Sequence, residues 1–245
     1  MQVHNQVALV TGAGVRLGQA IAIQLAEMGM RIAVHYHRSR EGAIETQNQL
    51  KGNTESGRHL LLSADLRSVE DLQRLVAQVE QELGPIAVLV NNAADFYPTP
   101  LEQTTEADWD HLFALNLKAP FFLAQAVAGS MKARGQGKII NLVDVSAQRP
   151  WPNYLPYCTT KAGLHALTAG LAKALAPEVQ VNGIAPGTVL PPPASSKIDQ
   201  SLSVERSLLK RMGSPEDIQR ALKYLIESDF VTGTVMAVDG GRLLT

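Results

Sequence analysis

The sequence predicts an α/β fold, a single domain built on a doubly wound parallel sheet, and three observations carry that prediction. Apolar runs of strand length alternate with longer segments of helical period, the pattern of repeated βαβ units. A glycine-rich turn, Thr11 to Gly18 (TGAGVRLG), joins the first such run to the first helical segment. The 245 residues, 45% of them hydrophobic, suffice for one large core, and no internal repeat, low-complexity tract or linker divides them.

Taken in order, the expected strands are Val7 to Thr11, Arg31 to Tyr36, His59 to Ser63, Ile86 to Asn91, Lys138 to Val143, Val179 to Ile184 and Val235 to Val238, each a short apolar run. The helices between them run from Leu17 to Met28, Arg40 to Leu50, Val69 to Leu83, Thr105 to Ala133, Tyr154 to Ala176 and Pro215 to Ile226. One stretch, Pro186 to Ser203, has neither period and holds PPP and SS; after the sixth strand it reads as a substrate loop, or as a plain connection.

A net charge of -1 with no basic run argues against a nucleic-acid or membrane surface as principal partner. The single cysteine, Cys158, excludes an internal disulfide and a cysteine-rich metal site and suits a reducing compartment. No apolar stretch in the sequence approaches the ~20 residues of a membrane span, and the N-terminus lacks a signal pattern, so the expectation is a soluble, cytoplasmic protein. His4, His59, His111 and His165 show no metal-ligand spacing and read as surface or packing residues, as do Trp109 and Trp151, although Trp151 precedes the segment of greatest chemical interest.

That segment is Asp144 to Lys161. Tyr157 and Lys161 are i and i+4, one turn apart on one helix face, and a neighbouring ammonium favours a phenolate, which would make Tyr157 a usable general acid. Alone, the pair reads first as an ordinary helix-surface contact; Asp144, at the end of a strand thirteen residues earlier, and the glycine turn give it context. At that turn a dinucleotide pyrophosphate can approach bare backbone N–H groups and the positive end of a helix dipole, the arrangement of a Rossmann-type fold. Arg16 is unusual there, because a cation at a helix N-terminus is unfavourable unless an anion binds. The second strand ends in His35, Tyr36, His37, Arg38 and Ser39 with no acid before Glu41; a cation and a hydroxyl suit a 2′-phosphate, so NADPH is favoured over NADH. Asp65 either holds an adenine amino group or caps a helix. Asn91, Asn92 and Ala93 end the fourth strand with side chains that permit close approach. Pro120 cannot donate to the carbonyl of Asn116, leaving an oxygen for a water that would connect Lys161 to solvent, or merely a kink.

With TGxxx at the N-terminus, NNAA at Asn91, Asn116, YxxxK at Tyr157 and the Pro186–Gly187 pair, the chain resembles the short-chain dehydrogenase/reductase family over nearly its whole length. The resemblance implies hydride transfer with NAD(P)H, Tyr157 as proton donor, Lys161 binding the nicotinamide ribose and lowering the tyrosine pKa, and Asn116 supporting a water relay. Arg16 and Asp144, where most members have glycine and serine, together with HYHRS at His35 and NNAADFYPTPL, look like the pteridine reductase branch. That implies reduction of dihydropterins, and of oxidised pterins or folates, with Phe96 stacking on the pterin, Arg16 reaching cofactor and substrate, and Asp144 set for a heterocycle presenting N–H donors. The cofactor residues so implied are Gly12, Arg16, Leu17, His35, Tyr36, His37, Arg38, Ser39, Asp65, Leu66, Asn92, Ala93, Tyr157, Lys161, Pro186 and Gly187. Ala94 departs from the branch, which has serine there, and Ser146, two residues past Asp144 on an extended chain, is a rival for the family hydroxyl. The alternatives are a general carbonyl reductase and a dinucleotide-binding sensor without turnover. Family members form dimers or tetramers through the fifth and sixth helices, and the run Leu112 to Val127 is compatible with a homodimer or homotetramer.

Overall fold

In the computed structural model, residues 1–53, 58–191 and 197–245 are described, with side chains for all of these except 51–53 and 198–200. Seven parallel strands stand in the order β3-β2-β1-β4-β5-β6-β7: β1 Val7–Val10, β2 Arg31–Tyr36, β3 Leu60–Ser63, β4 Ile86–Asn91, β5 Gly137–Leu142, β6 Val179–Pro186 and β7 Val235–Val238. The order reverses between β1 and β4. A crevice opens there beyond the carboxyl ends of the strands, where sheets of this kind bind ligands.

Both faces are covered, so the central strands are mostly apolar rather than alternating, with Asn91, Lys138 and Asn141 as polar exceptions; β1, β4 and β5 are buried at every residue. One core packs α3 (Val69–Leu83) and α5 (Ala119–Ala133) on one face through Leu72, Val79, Leu123 and Val127. The other packs α1 (Arg16–Glu27) and α8 (Pro215–Glu227) through Ile21, Leu25, Leu222 and Leu225. Helix α2 spans Arg40–Asn53, α4 Glu106–Phe113, α6 Leu155–Leu175 and α7 Lys197–Glu205.

The expected long fifth helix is continuous but not uniform. Between α4 and α5 the residues Ala114–Lys118 form a π turn, with the Ala119 N–H bonded to the Ala114 carbonyl, so the ladder widens by one residue just before Pro120. This places the proline in the first turn of α5, where its missing donor is least costly. The whole run Glu106–Ala133 reaches the length and mean hydropathy (1.3) of a membrane span, correcting the expectation from sequence. Leu123, Ala124, Val127 and Met131 of this run lie in the core, and 39% of its most apolar stretch is buried. A second correction concerns Pro186 to Ser203. The strand runs on to Pro186, and Lys197–Glu205, free of glycine and proline, is helix α7; residues 192–196, with two of the three prolines, lie outside the described residues.

Candidate active site

The nucleotide half of the crevice is shaped by bonds between strand ends. Thr11 Oγ1 accepts from the N–H groups of Asn92 (2.9 Å) and Ala93 (3.0 Å) and donates to the Val90 carbonyl (3.2 Å). The Asn92 amide returns a bond to the Thr11 carbonyl at 2.8 Å. Gly12 has φ +63°, and a Cβ there would stand 3.0 Å from Ala93 Cα, so glycine is needed for both conformation and approach. The Gly12 N–H donates to His35 Nδ1 and the opposite ring nitrogen donates to the Ala64 carbonyl, both at 3.1 Å. His35 is thus a buried brace across three strands, its pKa pushed down to about 4 by burial. Neighbouring Tyr36, expected among the cofactor residues, turns its side chain into the α1/α8 core instead.

Gly12, Arg16, Leu17, His35, His37, Arg38, Ser39, Asp65, Leu66, Asn92 and Ala93 line one cleft. Helix α1 starts at its floor with no side-chain cap and no acid in its first turn, which leaves its N–H groups and dipole to an incoming anion. Arg38 is exposed and makes no ion pair among the described residues. Asp65 is held by Arg67 at 2.6 Å, which keeps its carboxyl well below the usual range. Arg67 also meets His111 Nδ1 at 3.1 Å, and His111 Nε2 meets Asp95 Oδ2 at 2.5 Å. His111, read from sequence as a surface or packing residue, therefore belongs to a polar rim of the cleft.

The second half is a cavity of about 560 Å³ whose walls include Arg16, Phe96, Asp144, Trp151, Tyr157, Lys161, Pro186, Gly187 and Thr188. The Tyr157 hydroxyl donates to Asp144 Oδ2 at 3.0 Å, and the Ser146 N–H donates to Asp144 Oδ1 at 2.7 Å. Asp144 caps the short turn Val145–Ala147, so the chain past it is not extended. Ser146 is consequently fully buried and does not line the cavity; between the two candidates, only Asp144 faces substrate space. Burial raises the Asp144 pKa against the pull of Ser146, Lys161 and Tyr157.

Lys161 does not act on Tyr157 as expected. Its Nζ donates to the Leu142 carbonyl at 2.7 Å and lies 5.7 Å from the Tyr157 ring centroid, and burial lowers its pKa to about 8. The phenol is pushed well above its ordinary value, first by burial and then by the Asp144 carboxylate. The corrected picture is a proton held on a Tyr157–Asp144 pair, with a buried ammonium behind it.

Asn116 lies off the cavity and is 1% exposed. Its amide clamps the backbone of Asp95, accepting from the N–H and donating to the carbonyl at 3.0 Å each, and reaches Thr160 Oγ1 at 3.4 Å. Thr160 in turn donates to the Tyr157 carbonyl at 2.6 Å, so Asn116 connects the loop after β4 to the helix bearing Tyr157. Phe96, on that loop, is 41% exposed; Tyr154 stacks on it at 4.6 Å and Tyr157 and Trp151 meet it edge-on at 4.8 and 6.1 Å. Tyr154 was not singled out from sequence, although its place one turn before Tyr157 was a usable signal. Arg16, at φ +57°, spans both halves: its guanidinium donates to the Leu190 and Pro191 carbonyls at 2.7 and 3.1 Å. Those partners, rather than an anion alone, account for a cation at this helix start.

Comparison with known proteins agrees with this geometry. The short chain dehydrogenase family model matches residues 6–202. A 3-oxoacyl-(acyl-carrier-protein) reductase of Staphylococcus epidermidis is 31% identical, with 98% of this chain and 100% of that protein covered. A gluconate 5-dehydrogenase of Gluconobacter oxydans is 34% identical, covering 96% and 93%. Among solved structures, a gluconate 5-dehydrogenase from Burkholderia cenocepacia in complex with NADP and tartrate superposes with a TM-score of 0.91 at 31% identity, over 100% of this chain and 97% of that one.

Proposed function

This chain belongs to the short-chain dehydrogenase family and is an oxidoreductase, and on that premise we propose that it is an NADPH-dependent reductase of pterins, converting dihydropterins to tetrahydropterins, with folates as further substrates. The observation that carries the reading is the Asp144–Tyr157 hydrogen bond of 3.0 Å in a cavity that Phe96 also lines. A ketone oxygen needs a donor; a flat heterocycle with N–H donors and a ring nitrogen awaiting a proton needs an acceptor and an acid side by side, which this pair supplies.

The residues fit NADPH. The uncapped start of α1, the close backbone approach at Gly12 and the exposed charge of Arg38 beside Ser39 suit a pyrophosphate and a 2′-phosphate. When bound, the cofactor supplies a hydride to the carbon of a ring C=N bond, and one proton completes the reduction. Tyr157 holds that proton on its hydroxyl. Asp144 accepts from the hydroxyl and so orients the phenol, and a proton from solvent restores Tyr157 after turnover. Lys161 fixes the strand end at Leu142, and Asn116 and Thr160 hold the loop after β4 and α6 in register. Phe96, with Tyr154 behind it, offers a ring for stacking, worth on the order of 1 kcal/mol beyond area burial.

A second reading is a carbonyl reductase, favoured by the names of the relatives, none of which mentions a pterin. NADPH oxidation at 340 nm with dihydrobiopterin, dihydrofolate and a ketone panel, in the natural protein and in Asp144→Ser, separates the two. Pterin turnover that collapses in the variant supports the first; ketone turnover that survives or rises supports the second. NADPH binding without turnover on any of them would leave a sensor.

We further propose self-association through the apolar groove of Phe113, Leu117, Phe121, Phe122 and Leu167, between the α4–α5 run and α6. Sedimentation of the natural protein and of Phe121→Glu checks this, with a smaller species expected for the variant.

A further inference from the structure

The cavity holding Asp144 and Tyr157 has another wall, Arg242, which follows β7 in a short turn, Arg242–Leu244. Two more arginines come to it from distant parts of the chain. Arg149, between β5 and α6, donates to the Arg242 carbonyl at 3.3 Å. Arg206 follows α7, and its carbonyl accepts from Thr245 Oγ1 at 2.6 Å, the same hydroxyl that Arg242 meets at 3.2 Å. None of the three forms an ion pair among the described residues. The acid facing Arg242 is Asp239, whose two oxygens accept from the N–H groups of Gly241 (2.9 Å) and Leu243 (2.8 Å). Partial burial and the two like charges hold the Arg242 pKa below the ordinary arginine value, yet a guanidinium stays charged at neutral pH. Three cations set against one carboxylate, that of Asp239, leave an excess of positive charge, and the repulsion among them is relieved when an anion arrives. Arg242 is the member that lines the substrate cavity, which says where that anion is attached.

We propose that Arg242, with Arg149 and Arg206 adding positive field behind it, forms a subsite for an anionic group, carboxylate or phosphate, at the far end of a substrate whose reducible head lies against Asp144 and Tyr157. The substrate class is then a pterin with an anionic tail rather than a neutral one. The head group rests on the function proposed above; the subsite does not. Guanidinium groups recognise planar or tetrahedral oxyanions through paired, charge-assisted hydrogen bonds, so charge and geometry both select the tail.

Calorimetric titration of the NADP⁺-loaded protein tests the inference with matched pairs that differ only in charge. Folate against its dimethyl ester probes a carboxylate tail, neopterin monophosphate against neopterin a phosphate tail, and 3-oxooctanoate against its amide an anion without a pterin. The anionic member should bind about tenfold more tightly in at least one pair, as charge-assisted bonds predict. That ratio should fall below about threefold in Arg242→Gln and in the double variant Arg149→Gln, Arg206→Gln, whose exposed side chains keep the test independent of any folding defect at Arg242. A ratio near one in every pair of the natural protein, weak binding included, overturns the subsite, as does a ratio that survives both variants. If only the keto-acid pair shows the charge effect, the subsite stands and the pterin reading falls.

Discussion

In the nucleotide half of the crevice nearly every shaping bond runs between neighbouring strand ends: Thr11 to Asn92 and Ala93, Gly12 to His35, His35 to Ala64. The substrate half is drawn from segments far apart in sequence, the β4 loop with Phe96, the turn after β5 with Asp144, the loop after β6, and the C-terminal turn with Arg242. The first half is a property of the sheet. The second is an assembly laid over it, and each piece can change without disturbing the strands. One scaffold can thereby keep a cofactor and change its substrate, which agrees with relatives over 30% identical whose names describe quite different reactions.

The sharpest way to break that contrast is Tyr157→Phe. If the halves are separable, turnover falls about a thousandfold, within the range lost with a general acid, while NADPH affinity, read by fluorescence, stays within about threefold. An equal loss in both would mean that the phenol also shapes the nucleotide cleft. The next largest effect lies in the other half. His35 is neutral when folded, with a pKa near 4 against 6.5 unfolded. Above 6.5 its contribution to stability is complete; as pH falls from 6.5 towards 4 the unfolded chain takes up a proton that the folded one refuses, and stability drops by about 3 kcal/mol. Urea midpoints between pH 7 and 4.5 should show this slope and a shallower one in His35→Asn. Parallel curves would remove His35 as the brace.

A smaller effect is expected at Arg38, exposed and without an ion pair among the described residues. Arg38→Gln should weaken NADPH binding by about tenfold to a hundredfold and leave NADH binding nearly unchanged, the loss expected for one charge-assisted phosphate contact. A drop in both cofactors would place Arg38 in the architecture rather than at the phosphate.

These two halves were not equally legible in the sequence, for a physical reason. Val7, Ile86 and Ile139 mark strands because buried parallel strands are apolar runs, and Gly12 marks the turn because the backbone there has φ +63°. Such signals are local. Asp144, Tyr157 and Lys161 were legible through their spacing, and Phe96 through its motif, but the effect of Asp144 on the phenol was not, since burial sets it. Arg242 carried no signal at all: its meaning depends on Arg149 and Arg206, which only the fold brings near. Helix α7 was hidden behind the proline run, and the inward turn of Ser146 by a cap that an extended chain would not make.

Arg16 offers the finest test, because it belongs to both halves. Its backbone is left-handed at φ +57°, and its guanidinium reaches 174 residues along the chain to the carbonyls of Leu190 and Pro191. Charge-assisted bonds of this kind contribute about 1.5–3 kcal/mol when shielded, but these are exposed, so Arg16→Met should change global stability by only about 1 kcal/mol. The effect ought instead to be local. Amide hydrogen exchange at Val189 and Leu190 should quicken by about tenfold, since opening of the loop would no longer break those bonds. Exchange at Gly12 and Ala13, whose N–H groups are bonded to His35, discriminates what the bridge does. If those amides stay slow while the loop quickens, the nucleotide turn is held by its strands and Arg16 serves only to seat the loop. If both quicken together, the guanidinium stabilises a strained turn through its distant partners, and the two halves are one mechanical unit at this residue.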